Sequence, residues 1–138
     1  MTTHEIKPGI SVDDVLFGAS SQSLITAGYE EDESEFNEHL KWKTFKKNDE
    51  VNICVSDDDV VVCVACFKDC VLDGFCIIGQ TPSDLISTLG HPDEIGEALW
   101  VSDDMQQTPY EYFSLGLQIW FESDRVVSVF CNAIILDS

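Results

Sequence analysis

The side chains able to do chemistry in this chain are six cysteines, three histidines and twenty-six carboxylates. Cys63-Val64-Ala65-Cys66 followed by Cys70 has the spacing of half a zinc site. A zinc knuckle, however, turns between its ligands, and Val64-Ala65 is no turn. On an extended strand, positions 63 and 66 point to opposite faces. The cysteines at 54, 63, 66, 70, 76 and 131 therefore read as small buried hydrophobes, with no metal and no cofactor expected. Asp57 and Asp59 begin an EF-hand spacing, but no Gly and Glu follow in register, which leaves a charged hairpin turn. His4 is expected to fray with the terminus. His91 stands in the helix stop Gly90-His91-Pro92, and His39 precedes an aromatic, basic stretch. None adjoins a nucleophile elbow, an H-E-x-x-H helix or a phosphate-cradling glycine loop, so the chain is not expected to be an enzyme.

The carboxylates carry more information as a population. With 26 Asp+Glu against 7 Lys+Arg the net charge is −19. Such a surface repels nucleic acid and anionic membranes and attracts cationic partners. The acids gather at Asp13-Asp14, at Glu30, Glu31, Asp32, Glu33 and Glu35 with Glu38, at Asp57, Asp58 and Asp59, and from Asp93-Glu94 through Glu97 to Asp103 and Asp104. Lys41, Lys43, Lys46 and Lys47 crowd into one stretch, leaving the other runs without neutralising charge. Tyr29, Trp100 and Tyr110 stand beside acids and read as exposed aromatic anchors of the sort that dominate protein interfaces; Trp120 reads as a core or sheet-face residue. The expected partner-binding set is Tyr29, Glu30, Glu31, Asp32, Glu33, Glu35, Asp57, Asp58, Asp59, Trp100, Asp103, Asp104 and Tyr110.

The elements that must position these residues come in two copies. Val15 to Thr26 matches Cys76 to Ser87, sharing three apolar residues, Gly, one residue, Ser or Thr, and then Leu-Ile at the same offset. Val55 to Val61 matches Phe121 to Val127 with an offset five residues longer. A single domain of two degenerate units, about 8–70 and 71–138, follows. In each, Gly18 or Gly79 ends a short strand, and Ser20, Ser21 or Thr81 caps a short helix, with Pro82 at its first position. Strands are expected at Leu40–Phe45, Val51–Ser56 and Val60–Phe67, then at Glu97–Ser102, Tyr110–Ser114, Leu117–Glu122 and Arg125–Ile135. The fold class is α+β: two helix-plus-β-meander repeats sharing an antiparallel sheet, with the short helices on one face. Hydrophobic residues at 44% exclude a disordered acidic tail. The longest apolar stretch, Val60 to Phe67, is far short of the about 20 residues of a membrane span. The segment Met1 to Pro8 lacks a basic stretch followed by an apolar one, the expectation for a cytoplasmic protein.

In element order the chain is similar to the tandem helix-plus-sheet domains of some bacterial inhibitors and lipoprotein-assembly proteins. In size, charge and architecture it resembles bacterial immunity proteins and antitoxins, including those paired with contact-dependent growth-inhibition toxins. That resemblance implies a protein that occludes a cationic toxin, a nuclease for choice, with carboxylates standing in for phosphates. A DNA mimic directed at another DNA-binding protein, a small-ligand-binding domain and an enzyme are the other readings of the same composition.

Overall fold

Leu117, Ile119 and Phe121 alternate with Gln118, Trp120 and Glu122, and the strand they form buries the first set and leaves the second half-buried. Val51, Ile53 and Val55 do the same against Asn52 and Cys54. One face of the resulting sheet therefore makes the core. The structure, a computed structural model, describes residues 4–13, 15–35, 38–39, 41–47 and 50–132. Its strands are β1 (His4–Lys7), β2 (Ser11–Val12), β3 (Val15–Leu16), β4 (Glu30–Glu31), β5 (Lys43–Lys46), β6 (Val51–Val55), β7 (Val61–Cys66), β8 (Cys70–Leu72), β9 (Phe75–Cys76), β10 (Glu94–Ile95), β11 (Leu99–Ser102), β12 (Met105–Tyr112), β13 (Leu117–Glu122) and β14 (Arg125–Asn132). Its helices are α1 (Ser21–Thr26) and α2 (Pro82–Leu89).

The main sheet is antiparallel in the order β10-β12-β13-β14-β7-β6-β5-β4, with β11 also paired to β12. A smaller sheet, β3-β2-β1-β8-β9, lies beside it, and within it β1 and β8 run parallel. Leu24 of α1 and Leu85 of α2 join Ile53, Val64, Ile119 and Val129 in one core cluster, so both helices cover the same face. The fold is thus α+β with a shared antiparallel sheet, as the sequence pattern leads one to expect.

The two units repeat at the level of single hydrogen bonds. Ser20 caps α1 by accepting from the Ser23 N–H, and Thr81 caps α2 by accepting from the Asp84 N–H. The Gly18 N–H donates to the Val61 carbonyl at 2.9 Å and the Val61 N–H to the Ala19 carbonyl at 2.8 Å. Gly79 and Gln80 make the same two bonds with Val126, at 2.9 and 3.0 Å. Gly18 and Gly79 both have φ of +88°, a left-handed conformation that glycine adopts without steric cost. Val61 is therefore equivalent to Val126. Where β7 meets β14, Ala65 lies opposite Phe130, Val64 opposite Cys131 and Cys66 opposite Val129. Under that equivalence the Ala65–Phe130 pair maps onto itself, so a pseudo-twofold axis passes through it.

Several expectations need correction. The downstream match shifts by one residue within the hairpin turn: Val55 is equivalent to Phe121, but Val61 and not Val60 to Val126, because the Asp57–Asp59 turn holds one residue more than its counterpart. Strand β12 begins at Met105, five residues before the expected Tyr110, and Phe113–Leu115 forms a 3-10 turn. The expected strand starting at Leu40 is β5 from Lys43; Leu40, the end of the last strand at 133–135 and Asp14 lie outside the described residues. Cys66 and Cys70 are joined in a disulfide that ties the end of β7 to the start of β8; in sequence these had read as free thiols. Cys63 instead faces Cys54 across β6 and β7, and the Cys54 side chain, together with burial, raises its thiol pKa.

His4 does not fray. It is 5% exposed, and its imidazole lies between two carboxylates, Nδ1 2.7 Å from Asp13 Oδ2 and Nε2 3.2 Å from Glu50 Oε1. Burial works to lower its pKa, but the hydrogen bonds to Asp13 and Glu50 outweigh that and raise it above the ordinary 6.5. The clamp links the small sheet, through β1 and the Asp13 turn, to Glu50 at the entry of β6.

Candidate functional site

The candidate residues fall in three separate places. Glu30 and Glu31 form β4, the last strand on one edge of the main sheet, and both are exposed. Asp32 follows them and is tied down: its carboxylate accepts from the Ser34 hydroxyl and pairs with Lys46 Nζ at 3.2 Å, and those two contacts lower its pKa. Glu33 and Glu35 sit in the 3-10 turn Glu33–Glu35, where Glu33 is exposed. Tyr29 is not the exposed anchor expected. It is 9% exposed and packed into the core, with Lys47 Nζ 5.3 Å from its ring centroid. The Tyr29 N–H donates to the carbonyl of the buried Leu24 at 2.9 Å, just past the end of α1, and both side chains join the same core cluster.

Asp57, Asp58 and Asp59 make the exposed β6–β7 turn, with Asp59 in the left-handed region at φ 62° and its carboxylate accepting from the Ser21 N–H at 3.3 Å. Asp57 and Asp59 line a small recess together with Lys41 and Lys43. Because β7 and β14 run antiparallel, this turn and the β13–β14 turn lie at opposite ends of the sheet.

The third place brings candidates together. Strands β11 and β12 form a hairpin with Asp103 and Asp104 at its exposed tip. Trp100 on β11 is 65% exposed, the most open large hydrophobic residue described. Trp100, Asp104 and the half-buried Tyr110 line one recess of about 390 Å³ with Gln106, Thr108 and Asp124. Tyr110 is held in place by Phe121, whose ring centroid is 4.6 Å away. Asp124, at the β13–β14 turn with φ 62°, is the member the sequence reading missed. Its only signal was that Ser123-Asp124 marks a hairpin; which carboxylates share its end of the sheet depends on the β12–β13 register, Thr108 opposite Phe121.

Leu99, one residue before Trp100, points the other way. It lines a recess of about 330 Å³ on the outer sheet face with Phe67, Trp120, Val127 and Phe130. Trp120 and Phe130 are 6.5 Å apart and Phe67 meets Phe130 edge-on at 6.4 Å. The Trp120 indole N–H donates to Gln118, whose amide in turn donates to Glu111. Trp120 is thus the sheet-face residue that its alternation with Ile119 and Phe121 implies.

His39 and His91 are exposed, and His4 is committed to its clamp. Among the described residues no group of three His, Cys, Asp or Glu side chains is placed to hold a metal ion, and no helix is long and apolar enough to cross a membrane. Comparison with protein-family models, with curated proteins and with solved structures found no match to the chain.

Proposed function

We propose that this protein binds and masks a cationic protein through the β11–β12 hairpin end of its second repeat, in the manner of an immunity protein that neutralises a basic toxin. The observation that carries this reading is the exposed Trp100 beside Asp103, Asp104 and Asp124, on the half of the chain (70–138) that has eleven acidic residues and one basic, Arg125. Long-range attraction brings a basic partner in, and the indole and its neighbours fix it where water is excluded. A nuclease is the preferred partner, because carboxylates on a rigid hairpin can occupy the positions its site offers to phosphates. The role requires no catalysis and no cofactor. The proposed encounter is in the cytoplasm, before the toxin leaves the cell. The Cys66–Cys70 bond favours an oxidising compartment instead, and the mass of the protein from cells alkylated at lysis decides between the two.

The test captures cationic proteins from the source cell, elutes them with salt, and follows their association with the pure protein at several salt concentrations. Reversing Asp103, Asp104 and Asp124 to Lys is expected to slow association about tenfold at low salt and to flatten its salt dependence. Reversing Glu30, Glu31 and Glu33 should do less, since the lysines of β5 lie behind them. Equal slowing by the two sets would make the surface a diffuse field without an interface at the hairpin. No slowing by either would end the proposal.

A further inference from the structure

The recess of the second repeat has a counterpart in the first, and the difference between them names its occupant. Phe45 lies opposite Ile53 on β6, and Tyr110 opposite Ile119 on β13, so β5 and β12 are equivalent strands. In that register Lys41 and Lys43 fall on Gln106 and Thr108. Lys41 and Lys43 line the first recess with Asp57 and Asp59 of the following turn; Gln106 and Thr108 line the second with Asp124 of the equivalent turn. The first recess is about 150 Å³ and has two lysines in its lining; the second is about 390 Å³, with neutral side chains at the positions of those lysines. Trp100, Tyr110 and Asp104 are among its other walls, with Pro82, Phe121 and Ser123. Carboxylates at the end of an aromatic-walled slot suit a flat cation that can stack and hydrogen-bond at once, which describes guanidinium better than ammonium.

We infer that the recess between Trp100, Tyr110, Asp104 and Asp124 is a socket for one arginine side chain of the cationic partner, filling in trans the place that lysines fill in cis in the first repeat. This rests on the reading of a cationic partner given above and specifies its contact. The occupant is an arginine presented on a protein surface; lysine and diffuse attraction are outcomes of the test.

The experiment titrates the native protein with a hexa-arginine and a hexa-lysine peptide, following Trp fluorescence and binding heat. The hexa-arginine peptide should bind several-fold more tightly. The double variant Asp104→Asn with Asp124→Asn should weaken it about tenfold, whereas Asp57→Asn with Asp59→Asn, which removes the same charge, should change it less than twofold. Asn keeps the left-handed backbone at Asp124 and Asp59. Gln106→Lys with Thr108→Lys should close the socket as the first repeat closes its own. Equal weakening by the two Asn variants, or equal affinity for the two peptides, overturns the arginine socket while leaving the acidic-surface reading in place. No binding of either peptide to the native protein overturns both.

Discussion

The two repeats share a backbone and differ in what they do with charge. Residues 1–69 carry fifteen acidic and six basic side chains, residues 70–138 eleven and one. The contrast is sharpest on the equivalent strands β5 and β12, where Lys43, Lys46 and Lys47 are replaced by Thr108, Glu111 and Tyr112. Glu30 on β4 lies opposite Lys46, but Glu94 on β10 lies opposite Glu111. Like charges directly across a strand pair are unfavourable. Lys47 Nζ donates to the Ala27 carbonyl just past α1 at 3.1 Å, and the Tyr112 hydroxyl donates to the Gly90 carbonyl just past α2 at 2.9 Å. Burial pushes the Tyr112 hydroxyl pKa up to about 12, so it stays a donor at neutral pH. One repeat sets lysines of β5 against part of its acidic charge; the other keeps the helix-end bond and has a single cation, Arg125. A duplicated scaffold can hold its fold with either solution, which leaves one copy free to present charge.

The largest effects test whether the scaffold itself is equivalent. Leu24→Ala and Leu85→Ala remove side chains at matching positions, 2% and 0% exposed. Each is expected to cost about 2–5 kcal/mol in urea unfolding, and the two values should agree within the spread of such sites. A cost confined to one helix would mean that the core is not shared. Next come the caps: Ser20→Ala and Thr81→Ala should each lose about 1 kcal/mol, and a silent Ser20→Ala would show that α1 is held by Leu24 alone.

The His4 clamp belongs to the first repeat. Asp13 at φ 54° has its counterpart in Asp73 at φ 49°, but no histidine faces the latter among the described residues. Since folding raises the His4 pKa above 6.5, its contribution is fully present below that pH and is lost as pH rises through the folded value. The stability margin of the native protein over His4→Gln should therefore be widest below about pH 6.5 and narrow as the pH rises above it. A margin that widens with pH would mean that the clamp holds a neutral imidazole. The smallest effect is a charge transplant. Glu111→Lys, which gives β12 the residue that β5 has, should stabilise by a few tenths of a kcal/mol in low salt. Lys46→Glu should destabilise slightly more, since it also removes the Asp32 pair.

Much of this was legible in the chain. The Gly18 and Gly79 motifs, the capping residues at 20 and 81, the Pro82 helix start and the period-two alternation of β6 and β13 all appear in the sequence because they are local. A left-handed glycine, a cap and a one-face strand are decided within a few residues. The ends of β12 were not legible, since Gln106-Gln107-Thr108-Pro109 has no apolar alternation and becomes strand only by pairing with β11 and β13. Tyr29 looked open beside its acids because sequence gives neighbours along the chain and not the core cluster above it.

The sequence by itself determined the α+β class, the twofold repetition and a surface that is negative almost everywhere. Only the tertiary structure decided which carboxylates act together. Asp104 and Asp124 are twenty residues apart and meet because the β12–β13 register sets two turns side by side. Glu30 and Asp103, alike in composition, are carried to opposite edges of the same sheet. Charge is summed along a chain, but its field at a partner depends on distance in space, and strand pairing fixes that distance.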